Sequence, residues 1–158
     1  MIHILGDIST CEYKKCGAKC CTEGIHLTLR DIRRIISAGY SIDDFLEMDE
    51  ENQIFKIKGK HGRCFFLGEE LECRIRENEP LVCRLLPFRI TEVTYSDEPI
   101  MRLKPVVECP GKGYREKIDY KRIETDATSF LHEDQQLIKK IKTKGMRGIL
   151  EELSASHD

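Results

Sequence analysis

Apolar residues recur at helical spacing in one stretch near the start of the chain. Ile32 and Ile35 repeat as they do on the buried face of an amphipathic helix. Thr28, followed by Asp31 three positions later, is typical of a capped helix start, and Gly39 favours a helix end. The pattern predicts a helix between these two signals.

A second short helix is expected to begin at Ser41, and after it the pattern changes to that of strands. Runs of apolar and β-branched residues separated by turn residues are typical of β-hairpins. One hairpin is predicted from residues 54–57 and 64–67, and another from 88–95 and 100–103.

Helical signals return in the second half of the chain. Pro80 can occupy the first turn of a short helix that contains Cys83, and Pro87 would end it. After a glycine-rich turn at 109–113, apolar residues at helical spacing predict one long helix, or two, over about 115–143.

These elements predict an α+β fold, a small domain of short hairpins and helices with a C-terminal helical segment. The 158 residues suit one domain with a helical appendage. We expect residues 1–113, which contain all eight cysteines, to form the cysteine-bearing domain, and 114–158 to form a helical extension that packs on it.

Composition narrows the classes of protein to consider. Charged residues make up 34% of the chain, the formal net charge is −2, and there is no Trp. This charge favours neither a nucleic-acid nor a membrane partner. No apolar run approaches the ~18 residues of a membrane-spanning helix. The first residues lack the features of a secretory signal, so we expect a cytoplasmic protein.

The cysteines are the most informative residues. In a reducing cytosol they are more often metal ligands than disulfides; intracellular disulfides are the alternative, best known from hyperthermophiles. Four fall within eleven residues of a loop predicted at 8–24, and two of these are adjacent. We expect all eight to be ligands: Cys11, Cys16, Cys20, Cys21, Cys64, Cys73, Cys83 and Cys109.

The spacing of these thiols does not identify which metal they bind. Thiolates bind zinc and iron because they are soft and charged, and four complete a tetrahedral ion or a cubane cluster. The paired C-x2-C knuckles of zinc ribbons and the C-x2-C-x2-C run of bacterial ferredoxins are both absent. Eight thiolates exceed what one four-coordinate ion needs, so two centres, or one bridged polynuclear centre, remain open.

Five segments accompany the first cysteine cluster, namely 27–35, 64–67, 73–75, 80–88 and 109–111. With the order and approximate spacing of all eight cysteines, they resemble the CxxCxxCC, or YkgJ-like, family of zinc- or iron-chelating proteins. The resemblance covers about residues 10–115.

The resemblance implies metal chelation, often with an iron–sulfur oxidoreductase activity. The first cysteine gap, from Cys11 to Cys16, is longer than is usual in that family. Glu79 stands where an Arg usually precedes Pro80, and Arg76 stands where an aromatic residue is common. Larger relatives include flagellin lysine methylases. A methylase activity is not carried over, because no glycine-rich cofactor-binding segment is visible here.

The basic residues and histidines near the cysteines could belong to a site or have a simpler structural role. Basic side chains near sulfur can offset thiolate charge. Arg84 suits this role best, whereas lysines in the first loop suit solvation. His26 and His61 could join a mixed site but are more often solvated. The basic run at 139–147 could touch RNA or an acidic partner, although a charged face on a terminal helix is the commoner explanation for such a run. The other basic neighbours of the cysteines are Lys14, Lys15, Lys19, Arg63, Arg74 and Arg76.

The sequence is compatible with three functions. The first is a protein that holds an iron–sulfur cluster, most simply [4Fe–4S], or iron, and that transfers electrons or assists a partner enzyme. The second is a zinc-stabilised binding module with no chemistry of its own. The third is an enzyme that uses an open metal position as a Lewis acid. We expect a protein partner; the substrate stays open.

Overall fold

A computed structural model describes residues 2–4, 10–11, 13–105 and 116–156. For residues 10, 11, 13, 116 and 117 it describes the backbone alone. It combines helices with small sheets, which confirms the predicted α+β class. The strands are β1 Ile2–Ile4, β2 Thr10–Cys11, β3 His26–Leu27, β4 Leu46–Asp49, β5 Ile54–Ile57, β6 Gly59–Lys60, β7 Arg63–Cys64, β8 Phe88–Thr94, β9 Ile100–Pro105 and β10 Glu116–Lys117. The helices are α1 Tyr13–Cys16, α2 Leu29–Ser37, α3 Ile42–Phe45, α4 Leu81–Arg84 and α5 Tyr120–Ala155, with a 3-10 turn at Arg76–Asn78.

Helix α2 begins and ends where the sequence predicts. The Thr28 hydroxyl accepts from the Asp31 N–H at 3.2 Å, and Asp31 accepts from the Thr28 N–H at 3.0 Å. This reciprocal cap satisfies two backbone donors at the helix start. Gly39, just beyond the last turn, has φ +100°, a conformation that glycine adopts without strain.

The predicted hairpin between residues 54–57 and 64–67 is wrong in its pairing. β5 is instead the centre of a three-stranded antiparallel sheet, in the order β3-β5-β4. The tight turn between Gly59 and Cys64 does form, but it joins the two-residue strands β6 and β7. The sequence missed β3 and β4 because each is short and follows or precedes a helix directly.

The second predicted hairpin is confirmed. β8 and β9 pair antiparallel from Phe88–Pro105 to Thr94–Ile100, with a register shift between Ile90 and Glu92. β1 adds to this sheet parallel to β9, giving the order β1-β9-β8. A further pair joins β2 to β10 and so connects the first cysteine segment to the start of α5.

Helix α5 extends beyond the predicted range and breaks once. Gly145 has φ 72° and ψ 161°, which interrupts the helical path and places a kink before the final segment. Lys140 and Lys144 both reach Glu152 across this break, at 2.9 and 2.7 Å. The predicted domain boundary at residue 113 lies outside the described residues and stays a prediction.

Apolar side chains form two clusters, and α5 contributes to both. The larger cluster is built on α2 and the β3-β5-β4 sheet, and the smaller on the β1-β9-β8 sheet. Buried members of the larger cluster are Leu27, Ile32, Ile35, Phe45, Leu46, Phe55, Ile57, Phe66, Ile75, Leu137, Ile141, Met146, Ile149 and Leu153. Those of the smaller cluster are Leu85, Phe88, Met101, Leu103, Ile118, Ile123 and Ala127.

None of the helices in the described part of the chain combines the length and apolar character needed to cross a membrane.

Candidate metal centre

Six of the predicted ligand cysteines line one cavity of about 630 Å³. They come from three separate segments of the chain and are present as thiols. Cys16 ends α1, and Cys20 and Cys21 follow in the first cysteine loop. Cys64 and Cys73 come from β7 and the loop after it, and Cys83 comes from α4. The fold therefore brings together residues that are up to 67 positions apart in the sequence.

The other two predicted ligands are not placed. Only the backbone of Cys11 is described, in β2. Cys109 lies outside the described residues.

The first cysteine loop is held against β7 by backbone contacts. The Cys64 N–H donates to the Cys21 carbonyl at 3.1 Å, and the Glu23 N–H donates to the Gly62 carbonyl at 3.2 Å. The Arg63 guanidinium adds a bond of 2.6 Å to the Gly17 carbonyl. These contacts fix Cys21 beside Cys64.

The loop after β7 turns back so that Cys73 returns to the same cavity. The Gly68 N–H donates to the Glu72 carbonyl at 2.8 Å, and the Arg74 N–H donates to the Phe66 carbonyl at 2.9 Å. The Arg74 guanidinium lies over the Phe65 ring, 5.3 Å from its centroid, and bonds the Phe65 carbonyl. These backbone hydrogen bonds therefore close the loop that runs from Cys64 to Cys73, nine positions later.

Helix α4 places Cys83, and two acidic residues hold this short helix from different sides. The Leu81 N–H at its start donates to Asp31 Oδ1 at 3.1 Å. Arg84 at its end donates through Nε to Asp126 Oδ2 of α5, also at 3.1 Å. Both carboxylates are almost fully buried. A four-residue helix has little stability of its own, so these contacts determine where Cys83 lies.

The surroundings of the thiols favour their protonated form. Burial raises the pKa of Cys64 and of Cys73. The pKa of Cys83 is raised well above its usual range by burial, and further by Cys64, Glu79, Cys73 and Cys21 nearby. Cys83 is enclosed by protein while part of its surface stays open to the cavity. A cation would reverse this effect, because a coordinated thiol is deprotonated.

The donor set suits zinc or iron, which prefer thiolate sulfur. Among the described residues, no three His, Cys, Asp or Glu side chains are grouped closely enough to hold a metal ion as they stand. The six thiols thus share one cavity without forming a closed ligand shell there.

Charged side chains of both signs line the same cavity. Three are basic (Arg76, Arg84 and Arg122) and three are acidic (Glu72, Glu79 and Asp119). Of the basic neighbours predicted from the sequence, only Arg76 and Arg84 reach this wall. Lys14, Lys15 and Lys19 are exposed, and Arg63 and Arg74 bond backbone carbonyls instead.

The histidines that could have completed a mixed site do not line the cavity. His61 is exposed in the turn between β6 and β7. His26 Nε2 lies 3.0 Å from Asp134 Oδ1, and its ring meets the Phe130 ring edge to face at 5.4 Å. Because no described histidine lines the cavity, cysteine sulfur is its main soft donor.

Sequence reasoning missed several residues of the site. Asp31 was recognised as a helix cap but not as the acceptor for α4. Arg122 and Asp126 lie four residues apart on α5, so their side chains are neighbours on the helix surface. This spacing was the sequence signal that could have identified a polar patch there. No signal in the sequence could have paired Asp126 with Arg84, because the contact spans 42 positions.

A family model described as "Putative zinc- or iron-chelating domain" (CxxCxxCC) matches residues 10–103. No curated protein and no solved structure matches the chain.

Proposed function

Since the chain belongs to the CxxCxxCC family of zinc- or iron-chelating domains, we propose that the cysteines hold the metal. The observation that carries this proposal is that six thiols from three segments line one cavity. The remaining two proposed ligands are Cys11 and Cys109. Apolar walls that include Phe66 and Ile75 would shield the sulfur atoms from solvent.

We propose an iron–sulfur cluster, in the first place [4Fe–4S], as the bound group. A mononuclear tetrahedral ion needs four protein donors, whereas this one cavity offers six thiols. An excess of thiols suits a polynuclear centre, or two centres side by side. When bound, such a cluster supplies one-electron transfer, and the protein would exchange electrons with a partner or assist a partner enzyme.

The residues of the cavity wall would tune that chemistry. Arg84 lies beside Cys83, and its guanidinium is held in place by Asp126. A cation fixed near sulfur offsets thiolate charge and shifts a reduction potential. Arg76 lines the same wall.

A zinc-stabilised module is the second candidate, and one observation favours it. Three of the six cysteines that line the cavity lie in segments with little regular structure: Cys20 and Cys21 in the turns at 17–25, and Cys73 in the loop at 65–75. Such segments gain stability when a metal crosslinks them, since metal binding is then part of the folding free energy. This function requires no redox chemistry.

Anaerobic purification with elemental analysis tests the proposal. An iron–sulfur protein should be brown, absorb at about 400 nm, and contain iron and acid-labile sulfide. A colourless protein with stoichiometric zinc would establish the second candidate. Folded protein with neither metal, after expression with both supplied, would overturn both.

Single variants test the ligand assignment. We expect Cys21→Ser and Cys83→Ser each to lower the metal content and the folded yield. Thr22→Ala is the matched control, because this exposed neighbour of Cys21 does not line the cavity. Unchanged metal content in both cysteine variants would show that the cavity thiols are not ligands.

A further inference from the structure

A second concave surface, of about 570 Å³, lies along α2 and shares no lining residue with the cysteine cavity. Its lining is dominated by arginine. The residues are Arg30, Arg33, Arg34, Ser37, Ala38, Asn78 and Glu133. We call this surface the arginine cleft. The 3-10 turn at 76–78 separates it from the cysteine cavity, because Asn78 faces one and Arg76 the other.

The charge of the arginine cleft is opposite to that of the whole chain. The described lining residues include three guanidinium groups and one carboxylate, that of Glu133, so the lining itself has two excess positive charges. The buried Asp31 carboxylate, which is not part of the lining, also attracts Arg34. The chain as a whole carries a formal net charge of −2. A local surplus of this kind in a concave site attracts anions.

The guanidinium groups keep donors available for a ligand. Arg33 has no ion pair within the described residues. Arg30 meets Glu133 only at 4.0 Å, with its side chain 67% exposed. Arg34 uses one Nη2 donor on the Glu77 carbonyl at 3.2 Å, out of the five N–H donors of a guanidinium. The bond to Glu77 also fixes the direction of Arg34.

We propose that the arginine cleft binds a phosphoryl group. A phosphate monoester carries a charge of about −1.5 to −2 and three acceptor oxygens, which matches the two excess positive charges. Guanidinium groups bind phosphate through paired N–H donors, a geometry that a single lysine lacks. The Ser37 hydroxyl and the Asn78 amide, on the rim, add neutral donors.

The spacing of the arginines supports one shared ligand. Positions 30, 33 and 34 are three and four residues apart on α2, so the side chains project from neighbouring positions of one helix face. The opposite face carries Asp31, Ile32 and Ile35, which are buried. Arg30 and Arg33 are exposed, so substitutions there should leave the core intact, whereas Arg34 is half-buried and attracts the buried Asp31 carboxylate.

The phosphoryl group could belong to a small phosphate ester or to a phosphorylated protein segment. Titration calorimetry at fixed ionic strength distinguishes the two sources. Inorganic phosphate, glycerol phosphate and a phosphoserine peptide are compared with the same peptide unphosphorylated. Similar affinities for the three phosphates indicate a small ester. A phosphopeptide that binds at least tenfold more tightly than inorganic phosphate indicates a protein segment.

Two variants that change the charge of the arginine cleft in opposite directions test whether phosphate binds there. Arg33→Gln should weaken phosphate binding by about tenfold, the loss expected for charge-assisted hydrogen bonds. Glu133→Gln removes the one carboxylate found among the described lining residues and should strengthen binding by about threefold. Arg102→Gln is the control, because this arginine pairs with Glu92 on the β8–β9 hairpin, away from the cleft.

Two results would overturn the proposal: no saturable binding of inorganic phosphate to the full chain, or an equal loss of affinity in Arg33→Gln and Arg102→Gln. Metal content is measured in every variant. It should be unchanged, so that failure of phosphate binding is distinguishable from failure of the proposed metal function.

Discussion

The backbone N–H of Leu81 donates to the buried carboxylate of Asp31 at 3.1 Å, across 50 positions of sequence. The same carboxylate caps α2 through Thr28. One side chain therefore sets the start of α2 and the position of α4, which contains Cys83.

Asp31→Ala should lower the free energy of unfolding by about 3 kcal/mol, because it leaves buried N–H donors of Leu81 and Thr28 without acceptors. It should also lower metal retention, since α4 is released. Denaturant unfolding and metal analysis measure the two effects. Thr28→Ala is the control, as it removes the cap hydroxyl but leaves the bond to Leu81. If Asp31→Ala kept full metal content, the carboxylate would not position Cys83.

The pair formed by Arg84 and Asp126 should show energetic coupling. Asp126 is 5% exposed, and Arg84 is its partner at 3.1 Å. Arg84→Met should destabilise the protein by about 3 kcal/mol, because it leaves a buried carboxylate without a counter-charge. The double variant Arg84→Met/Asp126→Leu should recover much of this loss. Additive losses in a urea-unfolding double-mutant cycle would contradict the coupling.

Arg63 should matter for the first cysteine loop more than for global stability. Its Nη2 bonds the Gly17 carbonyl at 2.6 Å and so ties the loop to β7. Arg63→Ala should speed metal loss to a chelator while changing the free energy of unfolding of the metal-free protein by only about 1 kcal/mol. Lys60→Ala removes the same charge from the exposed part of this turn and should behave like wild type. Equal chelation rates for the two variants would argue against this role.

Two glycines of α5 should respond to alanine in opposite directions. Gly145 has φ 72° and ψ 161°, a region that L-residues rarely adopt, so Gly145→Ala should cost about 2 kcal/mol. Gly148 lies in the regular helix, and an added Cβ would be 3.5 Å from the Lys144 Cβ, an ordinary contact. Gly148→Ala should therefore gain about 1 kcal/mol. Thermal unfolding of both variants measures this; a gain from both would mean that α5 runs straight through residue 145.

Glu152 should make the C-terminal turn of α5 sensitive to acid. Hydrogen bonds from Lys144 and then Lys140 lower the pKa of its carboxyl from 4.5 to about 2. A carboxylate with a lowered pKa in the folded state stabilises the fold above pH 4.5, and this contribution disappears as the pH falls toward 2. The stability difference between wild type and Glu152→Gln should shrink over that window, and also in high salt.

Glu151→Gln is the control for this measurement, since Glu151 is exposed and forms no ion pair in the described portion of the chain. A difference between wild type and Glu152→Gln that stayed constant from pH 5 to pH 2 would contradict the assignment.

Local signals predicted α2, α4 and the β8–β9 hairpin well, because a cap, a proline or a turn marks each of them within a few residues. Pairing between distant segments could not be predicted in the same way. β5 has apolar residues that fit either neighbour, and the sequence placed it with residues 64–67 rather than with β3 and β4. Which strands pair with β5 depends on the sheet that α2 covers. This tertiary packing is not visible in the local sequence.

The same distinction applies to the site. The cysteines were identifiable from their number and spacing, and six of them share a cavity, as expected of ligands. Their assignment as ligands stays a prediction, as does the protein partner. The arginine cleft was missed although Arg30, Arg33 and Arg34 have helical spacing. Their shared face becomes concave only where Asn78 and Glu133 close it from other elements.

The sulfur-lined cavity has a consequence for how the molecule melts. Phe66 and Ile75 of the larger cluster and Ile118 of the smaller cluster form parts of its wall. An ion seated there would add a connection between two apolar halves that share α5 and are also linked by the bond from Leu81 to Asp31. Stripping it should turn one sharp calorimetric peak into two, with the half that contains the β1-β9-β8 sheet melting first because it buries fewer apolar side chains.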